Sequence, residues 1–199
     1  LMNIINAIKT GDVKRAPRLE AMLSKAIETN KQRELSYVRQ ATIDALTGCK
    51  NRRAFDSDIA ALMNDHQPFA LALVDIDNFK SINDTWGHLN GDIVLRNVAR
   101  EGLQVLQPLE ISLYRYGGEE FVVVLPGVSL AHATAIAERI QQKIREAGLP
   151  HAASAVASEV TVSIGIVASD GTVPIETLIA RADSALYQAK NNGRNQWSY

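Results

Sequence analysis

The sequence contains a single cysteine and no long apolar run, and both shortages narrow the kind of protein it encodes. Cys49 cannot form an internal disulfide bond. No stretch approaches the ~20 apolar residues that a membrane helix needs, and no secretory signal pattern opens the chain. These features favour a reducing, cytoplasmic setting. Since the chain begins at Leu1, we expect a fragment of a longer protein and leave open an upstream membrane attachment.

The sequence also has little net charge. Its 21 basic and 22 acidic residues give a net charge of -1, so no overall cationic field favours nucleic acid or an anionic membrane as a partner. We therefore expect no nucleic-acid partner and no direct membrane contact by this segment. The 199 residues allow one domain of about 150 residues with an additional segment.

Residues 1 to about 46 differ in composition from the rest of the chain. They are rich in Lys, Arg, Glu, Gln and Ala and contain no glycine after Gly11, which predicts a helix. Apolar residues lie near heptad spacing, but Asn30 and Arg33 interrupt the seam, so a weak coiled coil or a connector is favoured over a strong zipper. We assign residues 1–43 to an N-terminal helical connector or dimerisation segment and residues 44–199 to a separate domain.

From Asn51 onward, helical and strand patterns alternate. The patterns predict helices over 53–65, 92–106, 129–146 and 174–191, strands over 69–75 and 160–168, and a hairpin over 111–125. Ser129 is the expected N-cap of the third of these helices, and the last helix has Pro174 at its start and Gly193 after its end. This order predicts an α+β fold in which helices pack on an antiparallel-rich central sheet.

The heptapeptide RYGGEEF, residues 115–121, places two glycines and two glutamates at the turn of the predicted hairpin. Glycines allow the main chain to approach a ligand closely. Adjacent strand residues point to opposite faces, so Glu119 and Glu120 are able to have separate roles. A surface hairpin with solvated acids is an equal alternative at this point.

A predicted buried strand ends in the sequence VDID, residues 74–77. If the hairpin lies beside this strand, acids from both meet and form a site for a hard cation such as Mg²⁺, which takes few protein carboxylates and completes its shell with water and phosphate oxygens. Asp75 is the favoured ligand, whereas Asp77 is interpreted first as a cap of the next segment. Lys80 is either a solvated ion-pair partner or a group that neutralises charge on a phosphoryl group.

Two further polar groups have both an ordinary and a functional interpretation. Asn83, His88 and Asp92 lie around two glycines, where loop residues and caps are common, but an amide and a carboxylate also match the hydrogen-bonding edge of guanine. Lys190 and Arg194 lie across the end of the last helix, where cations suit the helix dipole and would equally suit a triphosphate.

Five separated stretches resemble the GGDEF domain, the diguanylate cyclase family. They are DALTGCKNRRAF (44–55), VDIDNFKSINDTWGHLNGDIVL (74–95), RYGGEEF (115–121), VTVSIGI (160–166) and ADSALYQAKNNGRN (182–195). The stretches occur in the family's order, and residues 1–43 lie outside the resemblance. Cys49 stands where the family usually has an aliphatic residue. The resemblance implies a nucleotidyl cyclase-like fold with a ferredoxin-like core.

The resemblance also implies an enzyme of bacterial second-messenger signalling that condenses two GTP into cyclic di-GMP and two pyrophosphates. It implies two Mg²⁺ ions per active site, with Mn²⁺ as a substitute, held by Asp75, the main-chain carbonyl of Ile76 and Glu119. Each domain would supply one GTP to a shared two-fold site, so the active species would be a homodimer.

The same resemblance assigns the remaining site residues. Glu119 would accept the hydroxyl proton, with Glu120 supporting the same site. The residues expected to contact the nucleotide are Lys80, Lys190 and Arg194 at the phosphates, Asn83 and Asp92 at guanine, His88 nearby, and Gly117 and Gly118, whose main chain would approach it closely.

One family feature is missing. Product-inhibited relatives carry an Arg-x-x-Asp motif that ends six residues before the first motif glycine, and here Pro108 and Ile111 occupy those positions. We therefore expect the primary product-inhibition site to be absent. Two alternatives are a non-catalytic nucleotide-binding regulator, which the intact acids and glycines disfavour, and a dimerisation module, which would give the nucleotide-binding residues no purpose.

Overall fold

The computed structural model describes residues 16–151 and 156–199. The chain divides into two compact units between Ala41 and Thr42. Among the described residues, no helix combines the length and the apolar character that crossing a membrane requires.

The first unit contains all but the last residue of the predicted N-terminal helix, α1 (Ala16–Thr42). Residues 1–15, which the same prediction covered, lie outside the described residues. Along α1, large apolar side chains are exposed, with Met22 62%, Ile27 59% and Tyr37 70% accessible. Exposed apolar side chains of this size give a helix surface that is able to pack against another helix.

The second unit, Thr42–Tyr199, combines five helices of at least eight residues with six strands among its described residues. The helices are α2 (Arg52–Asn64), α3 (Phe79–Trp86), α4 (His88–Leu106), α5 (Leu130–Glu146) and α6 (Ile175–Asn191). The strands are β1 (Lys50–Asn51), β2 (Phe69–Ile76), β3 (Leu113–Gly117), β4 (Glu120–Pro126), β5 (Val162–Ser169) and β6 (Trp197–Ser198).

The six strands form one sheet in the order β1-β3-β4-β2-β5-β6. The four central strands pair antiparallel, whereas β1 pairs parallel with β3 and β6 pairs parallel with β5. The predicted α+β fold with an antiparallel-rich sheet covered by helices is confirmed. The sequence did not predict β1 and β6, because strands of two residues are too short to show a period of two.

Strand β2 lies at the centre of the sheet and is buried along its whole length. Ala72, Val74 and Ile76 pack into the core cluster that includes α3, α4 and α5. Leu71 and Leu73 pack into the cluster that includes α2 and α6. Burial on both faces explains why the strand appears in the sequence as a continuous apolar run.

Most predicted helix boundaries are confirmed to within one residue, and the Ser129 side chain caps α5 by accepting a hydrogen bond from the main-chain N–H of His132. The exception is the segment 83–92. We expected a polar loop followed by a helix from Asp92, but this segment belongs to α3 and α4, which are joined at Gly87. The prediction was wrong because it treated Gly91 as a break, whereas this glycine lies inside α4 at a close contact with α3.

Helix α6 packs directly on β5 at Gly165. A Cβ atom at this position would collide with the main-chain oxygen of Ala182 and the main-chain nitrogen of Leu186. Gly165 therefore allows the helix to approach the sheet more closely than any larger residue would. This close packing brings the last turn of α6 toward the end of β2.

Candidate active site

Acidic side chains meet where β2 ends and β4 begins. The antiparallel register places Asp75 directly opposite Glu120, and Glu119 occupies the turn just before β4. Asp75 is 6% exposed, whereas Glu120 is accessible to solvent. The structure thus brings together the acids of two sequence motifs that lie about 45 residues apart, as the pairing of antiparallel neighbours allows.

The environment of Asp75 and Glu119 disfavours their negative charges. Burial raises the pKa of Asp75, and the charge of Glu120 adds to this effect. Burial is also the main reason that the pKa of Glu119 is raised, followed by the charge of Asp75. A group of partly buried carboxylates with raised pKa values is stabilised by a nearby cation.

The structure provides one such cation from the last turn of α6. Lys190 Nζ lies 2.8 Å from Asp75 Oδ1, and it lowers the pKa that burial raises. Lys190 was predicted to contact phosphate, and here its ammonium group lies against the strongest metal-ligand candidate. About a third of the Lys190 side chain is exposed, so this residue is accessible from solvent.

The donor set at this site fits a hard divalent cation completed by other ligands. No group of three or more His, Cys, Asp or Glu side chains in the described part of the chain is arranged to hold a metal ion by itself. Mg²⁺ usually takes only one or two carboxylates and fills its octahedron with water and substrate phosphate oxygens. Asp75, Glu119 and the main-chain carbonyl of Ile76, at the same end of β2, provide oxygen donors of that kind.

The sequence predicted that Asp77 caps the following helix, and this prediction was wrong. The N-cap position of α3 belongs to Asn78, which makes no capping hydrogen bond with its side chain. Instead, the buried Asp77 carboxylate accepts hydrogen bonds from Thr161, Ser163 and Asn195. The sequence did not indicate this role, because the partners lie 84 to 118 residues after Asp77 in the chain.

The hairpin tip is held by Arg115, which joins it to the start of the domain. The Arg115 guanidinium donates hydrogen bonds to the main-chain oxygen of Gly118 through Nε (3.1 Å) and Nη2 (2.9 Å). Its Nη1 lies 3.2 Å from Asp44 Oδ1. Gly118 adopts a φ of +34°, a value that side chains disfavour. The arginine therefore positions the turn that carries Glu119.

Asp44 is in turn held by Thr47, whose main-chain N–H and hydroxyl group both donate to its Oδ1. Burial raises the pKa of Asp44, but the hydrogen bonds from Thr47 and Arg115 outweigh burial and leave this pKa below its usual value of 3.8. The ionised form of Asp44 thus stabilises the folded domain. No sequence signal separate from the family motif indicated this network.

The residues expected to contact guanine lie on α3 and α4. Asn83 and Asp92 are half-buried, and His88 is exposed. A Cβ atom on Gly91 would collide with Asn83 Oδ1, so the glycine leaves room for the Asn83 side chain. Among the described residues, no hydrogen bond or ion pair connects Asn83, His88 or Asp92 with the acids at the end of β2.

The other two predicted phosphate ligands have free cationic groups. Lys80 is exposed in the first turn of α3, and Arg194 is half-buried in the turn after α6 with φ +63°. Neither side chain forms an ion pair with any residue that the structure describes. Both are thus available for an anionic ligand.

A groove beside the acids runs between β4 and α6. It consists of two adjoining cavities of ≈ 240 and ≈ 350 Å³, and both are lined by Glu120, Ala180, Asp183 and Leu186. Lys190 lines the larger cavity. Asp183 was not a candidate from the sequence, because a polar residue on an amphipathic helix is ordinarily a solvated one.

Comparison with known proteins shows which family the chain resembles. The family model described as diguanylate cyclase, GGDEF domain, matches residues 41–196. Diguanylate cyclase VdcA of Vibrio cholerae is 41% identical over 159 residues, which are 79% of this chain and 47% of VdcA. Response regulator PleD of Caulobacter vibrioides is 37% identical over 210 residues, covering 96% of this chain and 46% of PleD.

A solved structure agrees with these relationships. The coiled coil and GGDEF domain of DgcB from Caulobacter crescentus, in complex with c-di-GMP, superposes with a TM-score of 0.78 at 32% identity, covering 90% of this chain and 98% of that one. The chain spans less than half the length of VdcA and PleD.

The Arg115 network gives a stability prediction. Arg115→Ala should lower the free energy of unfolding at neutral pH by ~1–3 kcal/mol, because it removes charge-assisted hydrogen bonds from partly buried groups. Since the pKa of Asp44 is lowered in the folded state, its stabilisation is present above its unfolded pKa and is lost as the pH falls through the folded pKa. The difference in the free energy of unfolding between Arg115→Ala and the wild type should thus become smaller in strong acid.

Urea denaturation at neutral pH and at about pH 3 measures this difference. Lys143→Ala is the control, because it breaks an exposed Lys143–Glu146 pair that should contribute little. A destabilisation by Arg115→Ala that is equally large at both pH values would contradict the partnership with ionised Asp44.

Proposed function

The chain belongs to the diguanylate cyclase GGDEF domain family, and we propose that it condenses two GTP into cyclic di-GMP and two pyrophosphates. The observation that carries this proposal is the meeting of Asp75, Glu119 and Glu120 beside Lys190 at an intact RYGGEEF hairpin. Incubation of the purified chain with GTP and Mg²⁺, followed by chromatography, tests for cyclic di-GMP and pyrophosphate directly. We place the reaction in the bacterial cytoplasm, where GTP is available.

The proposed reaction is two identical phosphoryl transfers. The 3′-hydroxyl oxygen of one GTP bonds to the α-phosphorus of the other, the bond from that phosphorus to the bridging oxygen breaks, and pyrophosphate leaves. Glu119 accepts the proton of the attacking hydroxyl. Two Mg²⁺ ions, or Mn²⁺ in their place, would supply charge stabilisation and alignment when bound, with Asp75, the Ile76 carbonyl and Glu119 as their protein ligands.

Lys190 has two alternating partners in this proposal. Without nucleotide, its ammonium group compensates the buried charge of Asp75, 2.8 Å away. Bound metal ions would supply the positive charge at Asp75 in place of Lys190, which would leave Lys190 able to turn to the phosphates beside Lys80 and Arg194. The charge at the site is therefore balanced in both states, which avoids an unpaired buried carboxylate. Glu120 supports the same site from the facing strand.

Guanine recognition is assigned to α3 and α4. Asp92 accepts from the N1–H and N2–H₂ donors of guanine, and the Asn83 amide matches a donor and an acceptor. Gly91 leaves room for the Asn83 side chain between the two helices. His88 is exposed nearby, and the main chain of Gly117 and Gly118 approaches the phosphates from the hairpin.

We propose that a homodimer is the active species. The reaction needs two GTP molecules in opposite orientation, which a two-fold pair of domains supplies. Residues 1–43 are assigned to connection and dimerisation, because α1 exposes Met22, Ile27 and Tyr37, and exposed apolar side chains of this kind mark a contact surface.

Feedback by product is proposed to be weak. Pro108 lies in a turn of 3₁₀-helix, Gln107–Leu109, and Ile111 follows it half-buried, so neither offers a charged group to a nucleotide. Glu110 stands one position before Ile111 and adopts φ +57° in the turn before β3, so its carboxylate does not occupy the position of the missing aspartate. Control then depends on dimer formation rather than on the product.

Glu119→Gln should abolish cyclisation with little effect on the fold. The change removes a metal-binding charge and the proton acceptor at nearly constant shape, and such losses cost ~2.7–4 kcal/mol, or at least about a hundredfold in turnover. The measurement is the rate of pyrophosphate release at saturating GTP and Mg²⁺. Glu110→Gln, an exposed glutamate outside the site, is the control. Near-normal turnover of Glu119→Gln would remove this residue from the mechanism.

ATP should be a poor substrate, because adenine reverses the donor and acceptor positions of the guanine edge and leaves Asp92 and Asn83 unpaired at ~1–3 kcal/mol each. Gly91→Ala, which displaces Asn83, should raise the KM for GTP more than it lowers kcat. Gly102→Ala on the same helix is the matched control, since its Cβ would meet only the tip of Leu113 at 3.0 Å. Equal turnover of ATP and GTP would exclude Asn83 and Asp92 from recognition.

The specific rate should rise with protein concentration until dimers saturate, whereas added cyclic di-GMP at micromolar concentration should change it little. Initial rates over a protein dilution series, with and without product, measure both effects. Strong non-competitive inhibition, with product located beside Pro108 and Ile111 by crystallography, would contradict the absence of feedback. Competitive inhibition at the GTP site would show ordinary product binding.

A further inference from the structure

Asp77 is a buried carboxylate whose partners come from distant parts of the domain. Only 1% of this residue is exposed. Its Oδ1 accepts from Ser163 Oγ (2.7 Å), and its Oδ2 accepts from Thr161 Oγ1 (2.7 Å) and from the main-chain N–H of Asn195 (3.0 Å). A buried charge needs such partners, so the carboxylate determines where the chain at Asn195 lies.

Asn195 is held a second time through its side chain. Arg145, near the end of α5, donates from Nη1 to Asn195 Oδ1 at 2.9 Å. Arg194 and Asn195 have φ angles of +63° and +49°, a left-handed conformation that residues other than glycine adopt when the surrounding structure imposes it. The contacts of Asn195 with Asp77 and Arg145 provide that constraint.

The chain on either side of Asn195 is also fixed. The main-chain N–H of Arg194 donates to Ala189 O at 3.0 Å, and the main-chain oxygen of Gln196 accepts from Ile164 at 3.0 Å. The main chain of Arg194 is therefore positioned, while its guanidinium group has no ion-pair partner among the described residues. A fixed main chain with a free cationic group suits the binding of an anion.

The two acids at the end of β2 hold the two ends of one segment. Asp75 pairs with Lys190 at the end of α6, and Asp77 binds the main chain at Asn195, five residues later. Arg194 lies between these two contacts. The end of β2 thus provides the metal-ligand candidate Asp75, and the residue that follows this strand, Asp77, determines where Arg194 lies.

We propose that Asp77 is a positioning residue, which acts through Asn195 to hold the guanidinium group of Arg194 at the β- and γ-phosphates of the bound nucleotide. This inference rests on the proposed function, because it needs a triphosphate at the site. Asp77 itself contacts neither the nucleotide nor a metal ion, and its effect is confined to the phosphates that Arg194 reaches.

The test measures how much the β- and γ-phosphates contribute to binding. Isothermal titration calorimetry of the full chain in Mg²⁺ gives dissociation constants for the α,β-methylene analogue of GTP, which cannot release pyrophosphate, and for GMP, which lacks the two outer phosphates. Asp77→Ala should reduce the ratio of the GMP constant to the analogue constant by about tenfold, the loss of one charge-assisted contact. Arg194→Ala should reduce it equally.

The double variant Asp77→Ala/Arg194→Ala should lose no more than Arg194→Ala alone, because both changes remove the same contact. Asp77→Asn should retain most of the wild-type ratio. Its amide oxygen is able to accept from Thr161 and Asn195, and its NH₂ group is able to donate to Ser163. A role in stability alone would give neither the non-additivity nor the selective loss for the triphosphate.

Asp170→Ala is the matched control. Asp170 also accepts from one hydroxyl and one main-chain N–H, both of Thr172, but it follows β5 at the end of the sheet opposite to Asp75. The ratio measured for Asp170→Ala should equal that of the wild type. If Asp77→Ala fails to fold, Arg145→Ala decides, since it breaks the second anchor of Asn195 and should lower the ratio in the same direction.

If the wild-type protein gives a ratio well above one and Asp77→Ala leaves that ratio unchanged, the inference is wrong but the proposed function stands. The same holds for Arg145→Ala where that variant decides. Additive losses in the double variant would also overturn it, because Asp77 would then act independently of Arg194. A wild-type ratio near one would overturn the proposed triphosphate site, and the inference with it.

Discussion

The antiparallel pairing of β2 with both of its neighbours is the constraint on which the candidate site depends. β2 is buried on both faces, so a shift in register would move apolar side chains out of two cores at once. The observed register places Asp75 opposite Glu120 on one side and opposite Ser163 on the other. The positions of the acids thus follow from the apolar packing beneath them.

The two acids at the end of β2 are compensated in different ways, and this difference separates structure from chemistry. Asp77 is bound by neutral donors: the buried hydroxyl groups of Thr161 and Ser163 and the main-chain N–H of Asn195. Asp75 is paired with Lys190, whose long side chain is partly exposed. Only the second arrangement can be exchanged for a bound cation without breaking the fold.

Several elements could be predicted from the sequence because their signals are local. Ser129 capped its helix as expected, and the hairpin around Gly117 and Gly118 formed where the two apolar runs flank it. The segment 83–92 was predicted wrongly, because a glycine that serves a close helix contact looks in the sequence like a glycine that ends a helix. The partners of Asp77 could not be predicted, because hydrogen bonds between distant segments leave no local pattern.

The sequence by itself determined the order of the four longer helices and the four central strands of the domain, the presence of paired acids at a glycine turn and the family of the chain, because periodicity and motifs are properties of neighbouring residues. Tertiary structure alone decided that Lys190 compensates Asp75, that Arg115 joins the hairpin tip to Asp44 and that Asp77 binds Asn195 instead of capping α3. Each of these contacts joins residues brought together by strand register and helix packing. The chain folds to bury apolar surface, and that burial determines which polar groups meet.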